Sequence, residues 1–166
     1  MKCYSPLFLE TLYEASPDAV AWMRGNADHP ELNGRIRFFA APVGGVLVEA
    51  EIFGLPDDEK AGAEHGGAAS HFYAMHIHEV GDCSGQFDRT GAHYYSEGQL
   101  HPEHAGDMPV LLGNDGYAWL AFYDDRISIS EIIGRSVIIH GNRDDFTTQP
   151  SGDAGEKIGC GVIEAV

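Results

Sequence analysis

An all-β domain of about eight short strands, closed as a sandwich or flattened barrel, is the fold class that this sequence predicts. Three observations predict it: brief runs rich in β-branched and aromatic residues, clusters of Gly, Pro, Asn and Asp between those runs, and a chain of 166 residues, long enough to bury a core yet within the range of one domain. The first element is the exception. Ser5 to Glu14 reads as a short helix, with Ser5 as N-cap, Pro6 in the first turn and a stop before Pro17. Its apolar residues cover either a face of the chain's own sheet or a second subunit, so a homodimer is one expected assembly. The chain accordingly divides into an N-terminal extension, residues 1–17, and a β domain, residues 18–166.

Val20 to Met23, Arg35 to Phe39 and Val46 to Ile52 read as the first strands, the second and third joined by Ala41-Pro42-Val43-Gly44-Gly45. Pro42 fixes φ there, and the two glycines allow the positive φ values that a tight hairpin needs. Phe72 to His78 reads as the next strand. Val110 to Leu112 and Tyr117 to Phe122 follow, with Gly113-Asn114-Asp115-Gly116 as a hairpin turn between them, and Ser136 to His140 and Gly161 to Ala165 complete the set. Two long connections remain, Gly81 to Pro109 and Gly141 to Lys157. Connections of that length inside one domain are usually functional.

Composition excludes several classes of partner. Ten Lys and Arg stand against twenty-six Asp and Glu, a formal net charge of −16, so binding to a phosphate backbone lacks its driving force and no nucleic-acid partner is expected. No run of apolar residues approaches the ~18 that a membrane span requires. There is no internal repeat, and the low-complexity tract is confined to Ala61 to Ala69. Near the start, Lys2 is the one basic side chain, Glu10 cuts the apolar run short, and no small-residue cleavage site precedes Asp18, which makes the cytoplasm the expected compartment.

The histidines are the informative residues. His76 and His78 stand two apart in the apolar run Ala74 to Glu79, so on a strand they project from one face and can grip a single metal ion. His93 follows, then His101, His104 and Asp107 supply nitrogens and a carboxylate oxygen at short spacing, and with His93 make a set suited to tetrahedral zinc. His140 ends the run Val137-Ile138-Ile139 and completes an imidazole-rich set with His76, His78 and His93, which suits copper. His29, His65 and His71 belong to no such series and read as ordinary core or surface residues, and Glu79 and Asp82 read as strand-edge and loop charges.

These residues resemble the copper/zinc superoxide dismutases. Ala74 to Asp82 is similar to that family's first signature, Gly91-Ala92-His93-Tyr94 to the segment bearing its metal-bridging histidine, and Gly152 to Ile163 to its second signature, the likeness running from about Ala19 to the C-terminus. The resemblance implies a Greek-key sandwich, the architecture general to this family. It implies copper on His76, His78, His93 and His140, and zinc on His93, His101, His104 and Asp107, with His93 deprotonated at both nitrogens between the two cations. It further implies that Asp144 accepts hydrogen bonds from the far nitrogens of His76 and His101, fixing both rings, and that Cys83 and Cys160 form a disulfide. A bridge across a loop of this length contributes about 3–5 kcal/mol if unstrained. Cys3 is left as a free thiol.

The implied activity is the disproportionation of superoxide anion to oxygen and hydrogen peroxide, with His93 taking up a proton and delivering it to the departing peroxide. One position departs from the family pattern. Where the family has an arginine three residues before the second disulfide cysteine, this chain has Lys157, which keeps the charge but loses the planar fork that orients an anion. Arg143 is the other basic residue of the second long connection. The competing reading from a different class is a dismutase-like protein that stores or passes on copper and zinc with little turnover.

Overall fold

The structure, a computed structural model, describes residues 3–56, 71–95 and 98–166. Among them nine strands are formed: β1 (Ala19–Gly25), β2 (Asn33–Ala40), β3 (Val46–Phe53), β4 (Phe72–Tyr73), β5 (Met75–His78), β6 (Leu111–Leu112), β7 (Tyr117–Asp124), β8 (Ser136–His140) and β9 (Lys157–Ala165). Seven make one curled antiparallel sheet in the order β5-β8-β9-β1-β2-β3-β7, and β4 pairs with β6. Because β4 runs directly into β5 and β6 leads through a short turn into β7, the small pair spans the gap between the two edge strands of the large sheet. The result is the flattened Greek-key barrel expected from the sequence.

Four details of the β domain differ from the sequence reading. The run 72–78 is two strands, because the Ala74 N–H donates to Asn142 O at 2.8 Å and its carbonyl accepts from His140 N at 2.9 Å, which takes that residue out of the β4 ladder. The turn at 113–116 forms, with Asp115 and Gly116 at φ 49° and 76°, but β6 pairs with β4 instead of forming a hairpin ladder with β7. β9 begins at Lys157, four residues before the expected Gly161, so Lys157 stands on a strand. A single helical turn, α2 (Ile129–Ile132), precedes β8 and is too short to leave a periodic signal.

The N-terminal helix, α1 (Ser5–Glu14), is present, but its N-cap position is Tyr4 and has no side-chain cap. Ser5 is already helical, and its hydroxyl faces Cys3 Sγ at 3.1 Å. Phe8 and Leu12 pack on Phe39, Ala41 and Leu47, and Phe8 stacks on Tyr123 at 5.0 Å, so the helix covers one end of its own sheet's outer face. His65 and the tract Ala61 to Ala69 lie outside the described residues.

Alternation places the core and the site on opposite faces of the same strands. Met75 and Ile77 of β5 and Val137 and Ile139 of β8 join Ile36, Phe38, Val48 and Ile52 in the barrel interior, each contributing about 1.5–3 kcal/mol through burial. His76 and His78, one residue out of phase, project from the outer face beside Ile138 and His140. That face is roofed by the two long connections, so the three imidazoles are no more than 4% exposed.

Candidate metal centre

β5 is held along both edges, and this brings the histidine series together. One edge pairs with β8; on the other, Tyr94 N donates to Ile77 O at 2.7 Å and Ile77 N to Gly106 O at 2.9 Å. His93 consequently lies opposite His78, and Asp107 opposite His76. The connection after β8 returns over the same face, where Gly141 N and Asn142 N bond to Glu156 O and Ala154 O. It delivers Asp144 beneath the rings.

Four of the imidazoles have one nitrogen committed to an oxygen acceptor outside the cluster of rings, which determines where the other points. His76 Nε2 and His101 Nε2 donate to the two oxygens of Asp144, both at 2.8 Å. His78 Nδ1 donates to Gly91 O at 2.9 Å and His140 Nδ1 to Gly155 O at 3.2 Å. Acceptors of this kind require the N–H form at the bonded nitrogen and leave the far nitrogen as a lone pair. His78 Nε2 and His140 Nε2 therefore face each other 3.4 Å apart as two lone pairs, an arrangement that calls for a cation between them. His76 Nδ1, His93 Nε2, His101 Nδ1 and His104 Nδ1 are buried with no hydrogen-bond partner. Buried polar atoms are seldom left so.

Burial holds His76 and His140 below the ordinary imidazole range and pushes His78 down to about 3, despite the Gly91 carbonyl. Burial acts the other way on Asp107 and Asp144, but N–H donors from His93 and from His76 outweigh it and hold both carboxyls below their usual value. Neutral rings and ionised carboxylates are the protonation states of metal ligands.

The donor atoms fall into two groups that share His76 and His93. Those of His76, His78, His93 and His140 lie within 4.8 Å of one another, as do those of His76, His93, His101 and Asp107. Around Asp107 the spacing is that of one coordination shell: His93 Nδ1 is 2.8 Å from Oδ1, and His101 Nδ1 and His104 Nδ1 are 3.0 and 3.2 Å from Oδ2. Four ligands about 2.0–2.1 Å from a tetrahedral zinc ion are separated by about 3.3 Å. The residues present fit both ions.

A family model described as copper/zinc superoxide dismutase matches residues 32–163. The chain belongs to the copper/zinc superoxide dismutase family. Among its relatives, the Cu-Zn superoxide dismutase of Caulobacter vibrioides is 33% identical over 138 residues, covering 72% of each chain. That of Deinococcus radiodurans is 30% identical over 158 residues, covering 82% of this chain and 79% of its own. Among solved structures, the clock protein EA4 superposes with a TM-score of 0.73 at 29% identity, over 92% of this chain and 97% of that one.

Beside the family ligand pattern, the structure shows what supports it in this chain. The disulfide Cys83–Cys160 is formed, with the two Cα atoms 5.8 Å apart, and ties the loop after β5 to β9 around buried Phe87 and Ile138. Lys157 adds a second tie between the same parts. Its ammonium lies 2.8 Å from Thr90 Oγ1 and 3.4 Å from the carbonyls of Phe87 and Gly91, one acceptor for each of its three N–H donors. Gly91 O is also the acceptor that orients His78.

His29 and His71 stay apart from the cluster. His29 Nδ1 meets Asn26 Oδ1 at 3.0 Å, and His71 is exposed. Glu79 and Asp82 serve locally, accepting from Ala92 N and Ser84 N. Two supporting residues escaped the sequence reading. Gln149 grips the His101 backbone at both its N–H and its carbonyl, and Arg126 reaches the carbonyls of His104 and Asp107. Both work on main-chain atoms, and a contact with a carbonyl leaves no pattern in sequence.

Proposed function

We propose that this chain disproportionates superoxide to oxygen and hydrogen peroxide, with copper on His76, His78, His93 and His140 and zinc on His93, His101, His104 and Asp107. The observation that carries this reading is the set of buried ring nitrogens without hydrogen-bond partners, at His76, His93, His101 and His104, beside two close groups of donor atoms that share His76 and His93. When bound, copper supplies a one-electron redox couple and zinc a fixed positive charge. His93 has Nδ1 held on the Asp107 side, so Nε2 is the atom that holds a proton and releases it towards the departing peroxide. Asp144 keeps the Nε2 protons of His76 and His101 in place, and so keeps both lone pairs turned inward. Lys157 places a positive charge beside the His78–Gly91 contact, where it attracts the anion while bracing the loop.

No helix among the described residues is long and apolar enough to cross a membrane. The net charge of −16 supports the absence of nucleic-acid and membrane partners. The β domain, 18–166, carries every proposed ligand, and the helix Ser5–Glu14 of the N-terminal extension covers part of it. A second copy of the chain is the proposed protein partner; sedimentation measures it.

The deciding experiment is the dismutation rate of protein loaded with one copper and one zinc per chain, the loading verified by elemental analysis. A fast rate that falls with added salt is expected. A negligible rate at full loading would overturn the reading in favour of a metal-storage protein.

A further inference from the structure

We infer that Arg126 is a positioning residue for the zinc half of the site, a guanidinium that locks the turn carrying His104 and Asp107 onto the end of β7. The inference rests on the assignment of those two residues as zinc ligands.

The turn His104-Ala105-Gly106-Asp107 is closed by Asp107 N donating to His104 O at 3.1 Å, and by His104 N donating to Asp107 Oδ2 at 3.1 Å. Its two ends are the residues whose side chains supply ligands. Arg126 binds both ends through their carbonyls: Nη1 donates to His104 O at 3.1 Å and Nη2 to Asp107 O at 2.5 Å. The planar group thereby fixes the spacing of the two residues as well as their place.

The guanidinium is itself held. Asp124 Oδ1 accepts from Nε at 3.0 Å and from the Arg126 backbone N–H at 2.8 Å, and Asp124 Oδ2 accepts from Nη2 at 2.7 Å. Asp124 is only 5% exposed and is the last residue of β7, in register with Val46 of β3. A continuous line of strong contacts thus runs from the sheet through one carboxylate and one guanidinium to two ligand carbonyls. Charge-assisted bonds of this kind are the strong ones, and only a fork of fixed geometry can face a carboxylate and two carbonyls at once. Outer contacts that orient metal ligands are typically worth ten- to a hundredfold in metal affinity.

The test measures zinc affinity by competition with a chelator for the unaltered protein, Arg126→Lys and Arg126→Met, with the absorption spectrum of cobalt(II) in the zinc position as a geometric readout. Arg126→Met is expected to weaken zinc binding about 10- to 100-fold. Arg126→Lys, which keeps the charge but cannot reach all three partners, is expected to recover only part of that loss, with the cobalt bands displaced in both variants. Copper affinity of the zinc-free protein should change less than about threefold. Zinc affinity within threefold of the parent and an unshifted cobalt spectrum in a folded variant overturn the inference. If Arg126→Met does not fold, Arg126→Lys carries the measurement. Weak zinc binding by the unaltered protein is a different result, and it overturns the ligand assignment instead.

Discussion

Replacing Asp144 with asparagine tests the electronic logic of the centre at one atom. The Asp144 carboxylate accepts three N–H groups: His76 Nε2 and His101 Nε2 at 2.8 Å and Phe146 N at 2.7 Å. An amide of the same shape has one accepting oxygen and one donating nitrogen, so in either orientation at least one imidazole N–H faces another N–H. That ring must abandon the contact or move its proton to Nδ1, the atom turned towards the metal. Losing a bond to a charged acceptor costs about 1.5–3 kcal/mol, which corresponds to about 10- to 100-fold in metal affinity. His76 is held in the β5–β8 ladder, whereas His101 lies in a loop, so the zinc side should give way first. Chelator competition should show zinc affinity lowered by that factor, with the ring N–H resonances of His76 and His101 altered in the NMR spectrum. Affinities for both metals within threefold of the parent protein would refute the argument that Asp144 sets the two tautomers.

Three further outcomes are expected. Lys157→Arg should raise the dismutation rate about 2- to 10-fold, because five donors satisfy the three loop acceptors and leave others to face the anion; an unchanged rate would remove the position from the substrate path. Metal-free protein should lose stability as pH falls below 6.5, since neutral His78, with its folded pKa of about 3, binds its proton only when unfolded; denaturant titration at pH 7.5 and 4.5 should differ by roughly 3 kcal/mol from this ring alone, and equal stability at the two pH values contradicts it. Gly152 has φ +67°, and a Cβ there would lie 1.9 Å from Asp144 Oδ1, so Gly152→Ala should lower both the melting temperature and zinc affinity, whereas Gly44→Ala, at φ +89° with nothing within 4 Å, should show only the backbone cost of about 1–2 kcal/mol; equal effects from the two variants would mean that Asp144 is not displaced.

The proposed ligands were legible because their spacing reflects secondary structure. Two histidines at i and i+2 in an apolar run share a strand face, and three ligands at steps of three in a glycine-flanked loop can close on one point. The strand set was legible for the same reason, and errors fell where local pattern competes with a longer-range partner. Ala74 looks like the middle of a strand but bonds to the chain beyond β8, and Leu111-Leu112 looks like half of a hairpin but pairs with β4. Lys157 was recognisable as a departure, yet its three acceptors are spread over residues 87–91 and depend on the disulfide loop's path. Arg126 and Asp124 left no signal in the sequence, because the targets of the guanidinium are carbonyls 19 and 22 residues away.

The charge distribution completes the mechanism. A chain of net charge −16 must attract an anion, yet its arginines and Lys157 are nearly all engaged elsewhere. Arg35 and Arg37 pair with Glu51 and Glu49 on the sheet's outer face, Arg126 with Asp124, and Arg135 lies over Tyr94 with its donors on Glu131 O and Glu79 O. Among the described residues, Arg143 alone is a cation with neither a hydrogen-bonded nor an ionic partner. Lys157 contributes its charge but no free donor. In the proposed centre the local field would come largely from the bound ions: two divalent cations would outweigh Asp107, Asp144 and a doubly deprotonated His93 and leave the pocket positive inside an acidic protein. Neutral imidazoles are what make this possible, because ligands that bring no charge leave the metal's own charge uncancelled. The burial that holds His76, His78 and His140 in their neutral form thus shapes the ligand set and, through it, the field that draws the substrate in.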